Sequence, residues 1–216
     1  LPKLTIVAAG TSYYAGMIAK YWLEGLARLP VEVDIASEFR YRNSVLPDGG
    51  AALFISQSGE SLDTLMALRH AREKRQHIIS LINVGESTIA RESDVVLKTL
   101  AGPEISVAST KAYTTQLAVL LCLSVDWAQK RKFLDRTKAF EIMDELSRLP
   151  TALAEVLADK ERWNACAHEL AGARDVIYLG RGLNFPTALE GALKLKELSY
   201  IHAEGYAAGE MKHGPI

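Results

Sequence analysis

Residues 51–61 read Ala51-Ala52-Leu53-Phe54-Ile55-Ser56-Gln57-Ser58-Gly59-Glu60-Ser61. The five apolar residues at the start read as a short buried strand. Small hydroxyl residues around Gly59 break the run, and Leu62, Leu65 and Leu68 then resume at helical spacing. Working outward, the same strand–loop–helix order recurs. Residues 4–9 (LTIVAA) form an apolar run ending at Gly10, and Thr11 and Ser12 cap an amphipathic stretch carrying Met17, Ile18, Tyr21, Trp22 and Leu26. Val31–Ile35 alternates as a strand, Ser37 can cap a short helix over 38–42, and residues 47–50 (PDGG) form a turn. His77–Ile82 is a fourth strand, 87–91 a short helix and 94–97 a fifth strand, before a long helix over Lys111–Lys130. Strands alternating with helices predict an α/β fold, a three-layer αβα unit with a parallel five-stranded sheet flanked by helices. Its ligand site belongs at the carboxyl ends of the strands.

The rest of the chain reads differently. Residues 134–170 are helical and densely charged, interrupted at Pro150, which starts or separates helices. Residues 132–172 therefore read as a helical connector after a first domain spanning 1–131. Residues 175–179 (DVIYL) are a strand ending at Gly180, and Pro186 opens a helix to about Tyr200. This echoes the opening of the first domain and predicts the start of a second, truncated copy over 173–216. A single strand is read there, so the sheet needs residues outside this sequence or a partner chain.

With 25 basic and 26 acidic residues among 216, no large field exists to gather nucleic acid or a membrane surface. An anionic ligand must be caught by local geometry. Cys122 and Cys166 are far apart with no CxxC spacing, which fits a reducing, cytoplasmic compartment, and both read as buried packing. No signal peptide opens the chain, and the apolar run 117–125 is too short to span a bilayer. The sequence starts on Leu1 and ends on Gly214-Pro215-Ile216, so both ends read as cut from something longer.

Three strand-to-helix junctions carry the same chemistry: Gly10-Thr11-Ser12, the loop from Ser56 to Ser61, and Ser109-Thr110. Each sets small hydroxyls and free amides at a helix N-terminus, which favours an anion. Any one of them could be an ordinary cap. All three fall at the same edge of one predicted sheet, which favours binding. Neither a Walker A pattern nor GxGxxG occurs, since Gly180-Arg181-Gly182 has Phe185 where a third glycine belongs.

Glu190, Lys194 and Glu197 are spaced by four and three and share one helix face. Such a face is a solvated ion-pair stripe or a proton-transfer surface. The following Gly-rich loop crowds together His202, Glu204, Tyr206, Glu210, Lys212 and His213. Interconverting an aldose and a ketose needs a base to move a proton between adjacent carbons and a group to open the ring. A partly desolvated Glu and a His suit those tasks. A metal cluster of His202, Glu204, Glu210 and His213 is the alternative, without a helical ligand pair behind it.

Taken together, Gly10-Thr11-Ser12-Tyr13, residues 35–41 (IASEFRY), Ser56-Gln57-Ser58-Gly59-Glu60, residues 107–111 (VASTK), residues 190–197 (EGALKLKE), and His202-Ala203-Glu204 through Lys212-His213-Gly214-Pro215 resemble the isomerase part of the glucosamine-6-phosphate synthase family. SQSGE alone marks the wider sugar-isomerase (SIS) superfamily. The resemblance implies two SIS domains. It implies that Thr11, Ser12, Ser56, Gln57, Ser58, Ser61 and Ser109 hold fructose 6-phosphate, chiefly its phosphate, with Val107 and Ala108 touching the sugar through the backbone. Glu197 would move the proton between C1 and C2, Lys194 would assist at the hydroxyls, and Glu190 would lie near the sugar. His213 would open the ring in the neighbouring subunit's site, which implies a homodimer. Neither a metal nor a cofactor is implied. Ala9 stands where that family often has Cys and reads as a packing change, and Ser61, in place of Thr, keeps its hydroxyl. The family's glutaminase domain and its Schiff-base lysine have no counterpart in this sequence, so the chain would not make glucosamine 6-phosphate unaided.

Two other readings share these motifs. A sugar-phosphate deaminase or deglycase would use the same loops. A non-catalytic sugar-phosphate sensor would leave Glu197 and His213 idle, and usually carries a basic DNA-reading helix that this sequence lacks.

Overall fold

The computed structural model describes residues 1–215. The chain divides into two compact units, Leu1–Phe133 and a second from Leu134 onward. The first holds strands β1 (Leu4–Ala8), β2 (Val31–Ile35), β3 (Ala51–Ser56), β4 (His77–Ile82) and β5 (Val95–Lys98). They form one wholly parallel sheet in the order β2-β1-β3-β4-β5. Helices α1 (Gly10–Ala27), α2 (Ala36–Phe39), α3 (Leu62–Glu73), α4 (Thr88–Arg91) and α5 (Lys111–Lys130) connect and cover them. The chain runs outward from β1 to β2 and then returns across β1 to β3. The helices after β1 and β3 therefore leave in opposite senses, and a crevice opens at that switch point.

Burial explains why these segments are strands. β1 and β3 are apolar and buried along their whole length, as parallel strands covered on both faces must be. Alternate side chains serve opposite layers. Val7, Ala52, Phe54 and Ile78 join Phe39, Leu68 and Ile89 in a core under α2, α3 and α4. On the other face Gly16 lets α1 lie so close that a Cβ there would sit 2.8 Å from Ile6 Cγ2. Helix α5 packs on α1, where Gln116 Nε2 donates to Ser12 Oγ at 3.0 Å. Each fully buried Phe or Leu of this core contributes about 1.5–3 kcal/mol.

The second unit holds α6 (Arg136–Ala158), α7 (Lys160–Leu170), β6 (Asp175–Gly180), α8 (Asn184–Ser199) and β7 (His202–Ala207), with a short 3-10 segment over Ala208–His213. β6 and β7 pair in parallel, from Asp175 opposite His202 to Gly180 opposite Ala207.

Five sequence expectations are corrected. The loop predicted after Tyr200 contains β7, so the second unit has two strands and a closed βαβ unit. Its polar composition hid it: Ala203 is its one fully buried residue, and Gly205 lets the strand approach α8, where a Cβ would lie 2.9 Å from the Leu189 backbone. Pro150 lies inside α6, and the helical break falls at Asp159, whose side chain accepts the Arg162 N–H at 3.2 Å and so starts α7. Thr11 and Ser12 lie inside the first turn of α1, with Ala9 at the cap, and Ser37 lies inside α2. Cys166 is exposed, on a helix with no buried residue, while Cys122 is half-buried.

Candidate functional site

Each predicted phosphate loop follows or precedes an element of the first unit's sheet edge. Thr11 and Ser12 come directly after β1, Ser56 ends β3 and leads into Gln57, Ser58 and Ser61, and Ser109 precedes α5. These seven residues line one cleft of about 190 Å³, together with Ala9, Ile55 and Thr64. Every lining residue is uncharged, and most carry a hydroxyl. The arrangement matches an anion held by hydrogen bonds and helix ends, in a chain whose net charge is −1.

Internal bonds shape the Ser56–Ser61 loop. Ser56 Oγ accepts the Gly59 N–H at 3.0 Å, and Ser58 Oγ accepts the Glu60 N–H at 3.2 Å. Accepting uses a lone pair and leaves each hydroxyl proton able to donate. Ser56 Oγ and Ser61 Oγ lie 3.4 Å apart. Gly59 has φ +67°, and a Cβ there would lie 2.0 Å from Ser87 Oγ, so both turn and packing demand glycine. The loop is tied to the next turn by Ile89 N–H donating to Gly59 O at 3.1 Å and Thr88 N–H donating to Glu60 Oε1 at 2.7 Å. That backbone bond, foremost, holds the Glu60 carboxyl below the usual carboxylate range. Neither the Ser61 nor the Thr110 side chain caps its own helix. The plain capping reading is therefore not realised at those two junctions.

Some expectations fall elsewhere. Ala9 is exposed and lines the cleft, so its role is not packing alone. Val107 is 96% exposed and Ala108 is buried; neither is among the residues lining the cleft. Thr64, buried at the base of α3, is a lining residue the sequence reading passed over, because it lies inside a helix and not in a loop.

In the second unit, Glu190, Lys194 and Glu197 meet as their spacing predicts. Lys194 Nζ lies 3.5 Å from Glu190 Oε1 and donates to Glu197 Oε2 at 2.5 Å. Glu190 is 5% exposed, whereas the Glu197 side chain is 37% exposed. The face thus runs from a buried acid, through a bridging ammonium, to an acid open to an incoming group. His202 Nδ1 faces Asp175 Oδ1 at 2.8 Å, and Tyr206 Oη donates to the Glu204 carboxylate, which pushes the phenol up. His213 is exposed at the end of the 3-10 segment. Among the described residues no group of three or more His, Cys, Asp or Glu is placed to hold a metal ion, and no helix is long and apolar enough to cross a membrane.

The SIS domain model matches residues 2–125 and 169–216. The glutamine–fructose-6-phosphate aminotransferase (isomerizing) of Zymomonas mobilis is 57% identical over 216 residues, covering 100% of this chain and 36% of that protein. The enzyme of the same name from Gluconobacter oxydans is 56% identical over the same shares. The chain thus spans about a third of the length of these relatives. Among solved structures, the C-terminal domain of glucosamine-fructose-6-phosphate aminotransferase from Francisella tularensis superposes with a TM-score of 0.95 at 45% identity, over 99% of this chain and 61% of that one. A glucosamine-6-phosphate deaminase from Thermotoga maritima, at 23% identity and a TM-score of 0.82 over 100% of this chain and 64% of its own, shares the fold.

Proposed function

The chain belongs to the SIS-domain family, and on that premise we propose that it is the fructose 6-phosphate-binding and isomerising part of a glutamine-dependent amino-sugar synthase. The observation that carries the reading is the meeting of Thr11, Ser12, Ser56, Gln57, Ser58, Ser61 and Ser109 in one uncharged cleft at the switch point of the sheet. The phosphate of the sugar sits there, on hydroxyl protons and at the N-termini of α1 and α3. Val107 and Ala108 offer backbone groups to the sugar. The identity with named aminotransferases along the whole chain supports this chemistry over that of a deaminase, which has fold likeness alone behind it.

The acid–lysine face of α8 performs the proton transfer. Glu197, the open acid, takes a proton from one of C1 and C2 and returns it to the other. Lys194 donates to Glu197 and steadies the sugar hydroxyls, and Glu190 anchors Lys194 from the buried side. His213 opens the ring, acting in the neighbouring site of a homodimer. Ammonia from glutamine comes from a glutaminase domain of the parent protein, which acts in the cytoplasm.

Calorimetry tests the ligand class. Wild-type protein binds fructose 6-phosphate, and unphosphorylated fructose gives no detectable heat. Ser56→Ala with Ser58→Ala weakens phosphosugar binding by several kcal/mol, each lost bond to a charged group costing about 1.5–3 kcal/mol. Unchanged affinity in the double variant removes the cleft from the site.

A further inference from the structure

The segment between β5 and α5 poses a physical problem. Leu100, Ile105 and Val107 are 82%, 90% and 96% exposed, so little apolar burial fixes this stretch. Yet Ser109, near its end, lines the cleft. Polar bonds order it instead. Near its start, Asn83 Oδ1 accepts the Ala101 N–H at 2.8 Å, and Asn83 Nδ2 donates to Gly102 O at 2.7 Å. The Asn83 N–H in turn donates to Gln57 O at 3.2 Å, which joins this segment to the Ser56–Ser61 loop. Near its end, Glu104 folds back over six residues. Its Oε2 accepts the backbone N–H groups of Thr110 at 3.1 Å and Ala112 at 3.2 Å, and its Oε1 accepts the Thr110 hydroxyl at 3.0 Å. A carboxylate bound to the first turn of a helix is doubly favoured, by orphan amides and by the dipole. The Thr110 N–H, foremost, holds this carboxyl below the ordinary range.

We propose that Glu104 is a positioning residue for the phosphosugar cleft, clasping the first turn of α5 so that Ser109 is held at the cleft wall. The inference rests on the phosphosugar reading above. It also divides labour among the three helix ends. The α5 end is already matched by a resident carboxylate, so α5 lends the ligand the Ser109 hydroxyl alone, and the ends of α1 and α3 face the anion.

A double-mutant cycle on the complete protein tests this, with fructose 6-phosphate as the calorimetric probe. Ser109→Ala weakens binding about tenfold, the loss of one hydrogen bond to a charged group. Glu104→Ala weakens it by a similar factor, because Ser109 is no longer held. The combined variant binds within about twofold of Glu104→Ala alone, since the second change removes nothing further. Two factors that multiply overturn the proposal, because Glu104 then acts independently of Ser109. Should Glu104→Ala lower the unfolding temperature, Glu104→Gln, which keeps one acceptor oxygen, replaces it in the same cycle. Loss of affinity in Ser56→Ala with Ser58→Ala, but in neither Ser109→Ala nor Glu104→Ala, sinks this proposal and leaves the phosphosugar reading standing. No loss in any of them sinks that reading too.

Discussion

Both units contain the same sequence grammar, a strand running through a glycine into a helix, and use it for opposite ends. β1 lies between two strands and is buried throughout, while β6 pairs with β7 and alternates between exposed and half-buried up to the buried Gly180. Helix α1 presents its end to the cleft, with Thr11 and Ser12 in the first turn and no acid there. Helix α8 presents its body, with Glu190, Lys194 and Glu197 stacked along one face. The difference is physical. A helix end offers convergent amides and hydroxyls, which suit a fixed anion. A helix body offers long titratable side chains at spacings of three and four, which suit proton transfer.

The largest expected effect separates these two roles. Glu197→Gln in the complete enzyme lowers kcat about 10²–10⁴-fold, the usual worth of a general base. Binding of fructose 6-phosphate stays near wild type, because the proposed phosphate contacts lie in the first unit. Steady-state kinetics with parallel calorimetry read the two quantities apart. Retained isomerisation removes Glu197 from the mechanism, and equal loss of binding and turnover erases the contrast between helix end and helix body.

Glycines sharpen the comparison at the level of stability. Gly59 and Gly182 both have positive φ, +67° and +57°, but a Cβ at Gly59 meets Ser87 Oγ at 2.0 Å whereas one at Gly182 meets nothing within 4 Å. Gly182→Ala therefore costs about 1–2 kcal/mol, the backbone penalty alone. Gly59→Ala adds displacement of Ser87, which caps α4, and disturbs the Ser56–Ser61 loop. Thermal unfolding should show the larger drop for Gly59→Ala, and calorimetry should show lost phosphosugar affinity in that variant only. Equal drops with affinity intact would mean that the loop tolerates a shifted Ser87.

The legibility of the sequence followed the same divide. β1 and β3 were readable because full burial forces an unbroken apolar run, β2 was readable by its alternation, and Lys111–Lys130 matched its helix to the residue. The cleft was readable because topology places strand-to-helix loops at one edge of a parallel sheet. β7 was not, since His202–Ala207 buries one small residue and earns its conformation by pairing with β6 and crowding α8 through Gly205. Pro150 misled because a proline's cost can be absorbed in a long helix, while Asp159, the real stop, looked like one charge among many. The Glu104 clasp escaped because its reach of six to eight residues exceeds the three-residue spacing of a capping box. An acid a few residues before a Ser-Thr helix start was the available signal.

The smallest expected effect concerns the sheet's own edges. Edge strand β2 carries Glu32 and Asp34. Arg42 Nε donates to Asp34 Oδ2 at 2.8 Å, Arg42 Nη2 donates to Glu32 Oε1 at 2.7 Å, and Lys3 also pairs with Glu32. Charge on an edge strand discourages pairing with another chain. The hydrogen bond from Lys3, foremost, and that from Arg42 hold the Glu32 carboxyl below its usual range, against the opposing effect of burial. A depressed folded-state value adds stability above the unfolded value, near ~4.3 for Glu, and that increment is lost as pH falls through the folded value. The groups are partly exposed and screened, so Arg42→Ala costs at most about 1 kcal/mol at neutral pH. Chemical unfolding at pH 7 and again below pH ~4 should show the gap between variant and wild type narrowing with acid, and at pH 7 narrowing with added salt. A gap that stays constant across both would assign the effect of Arg42 to packing of its stem on β2 and not to its charge.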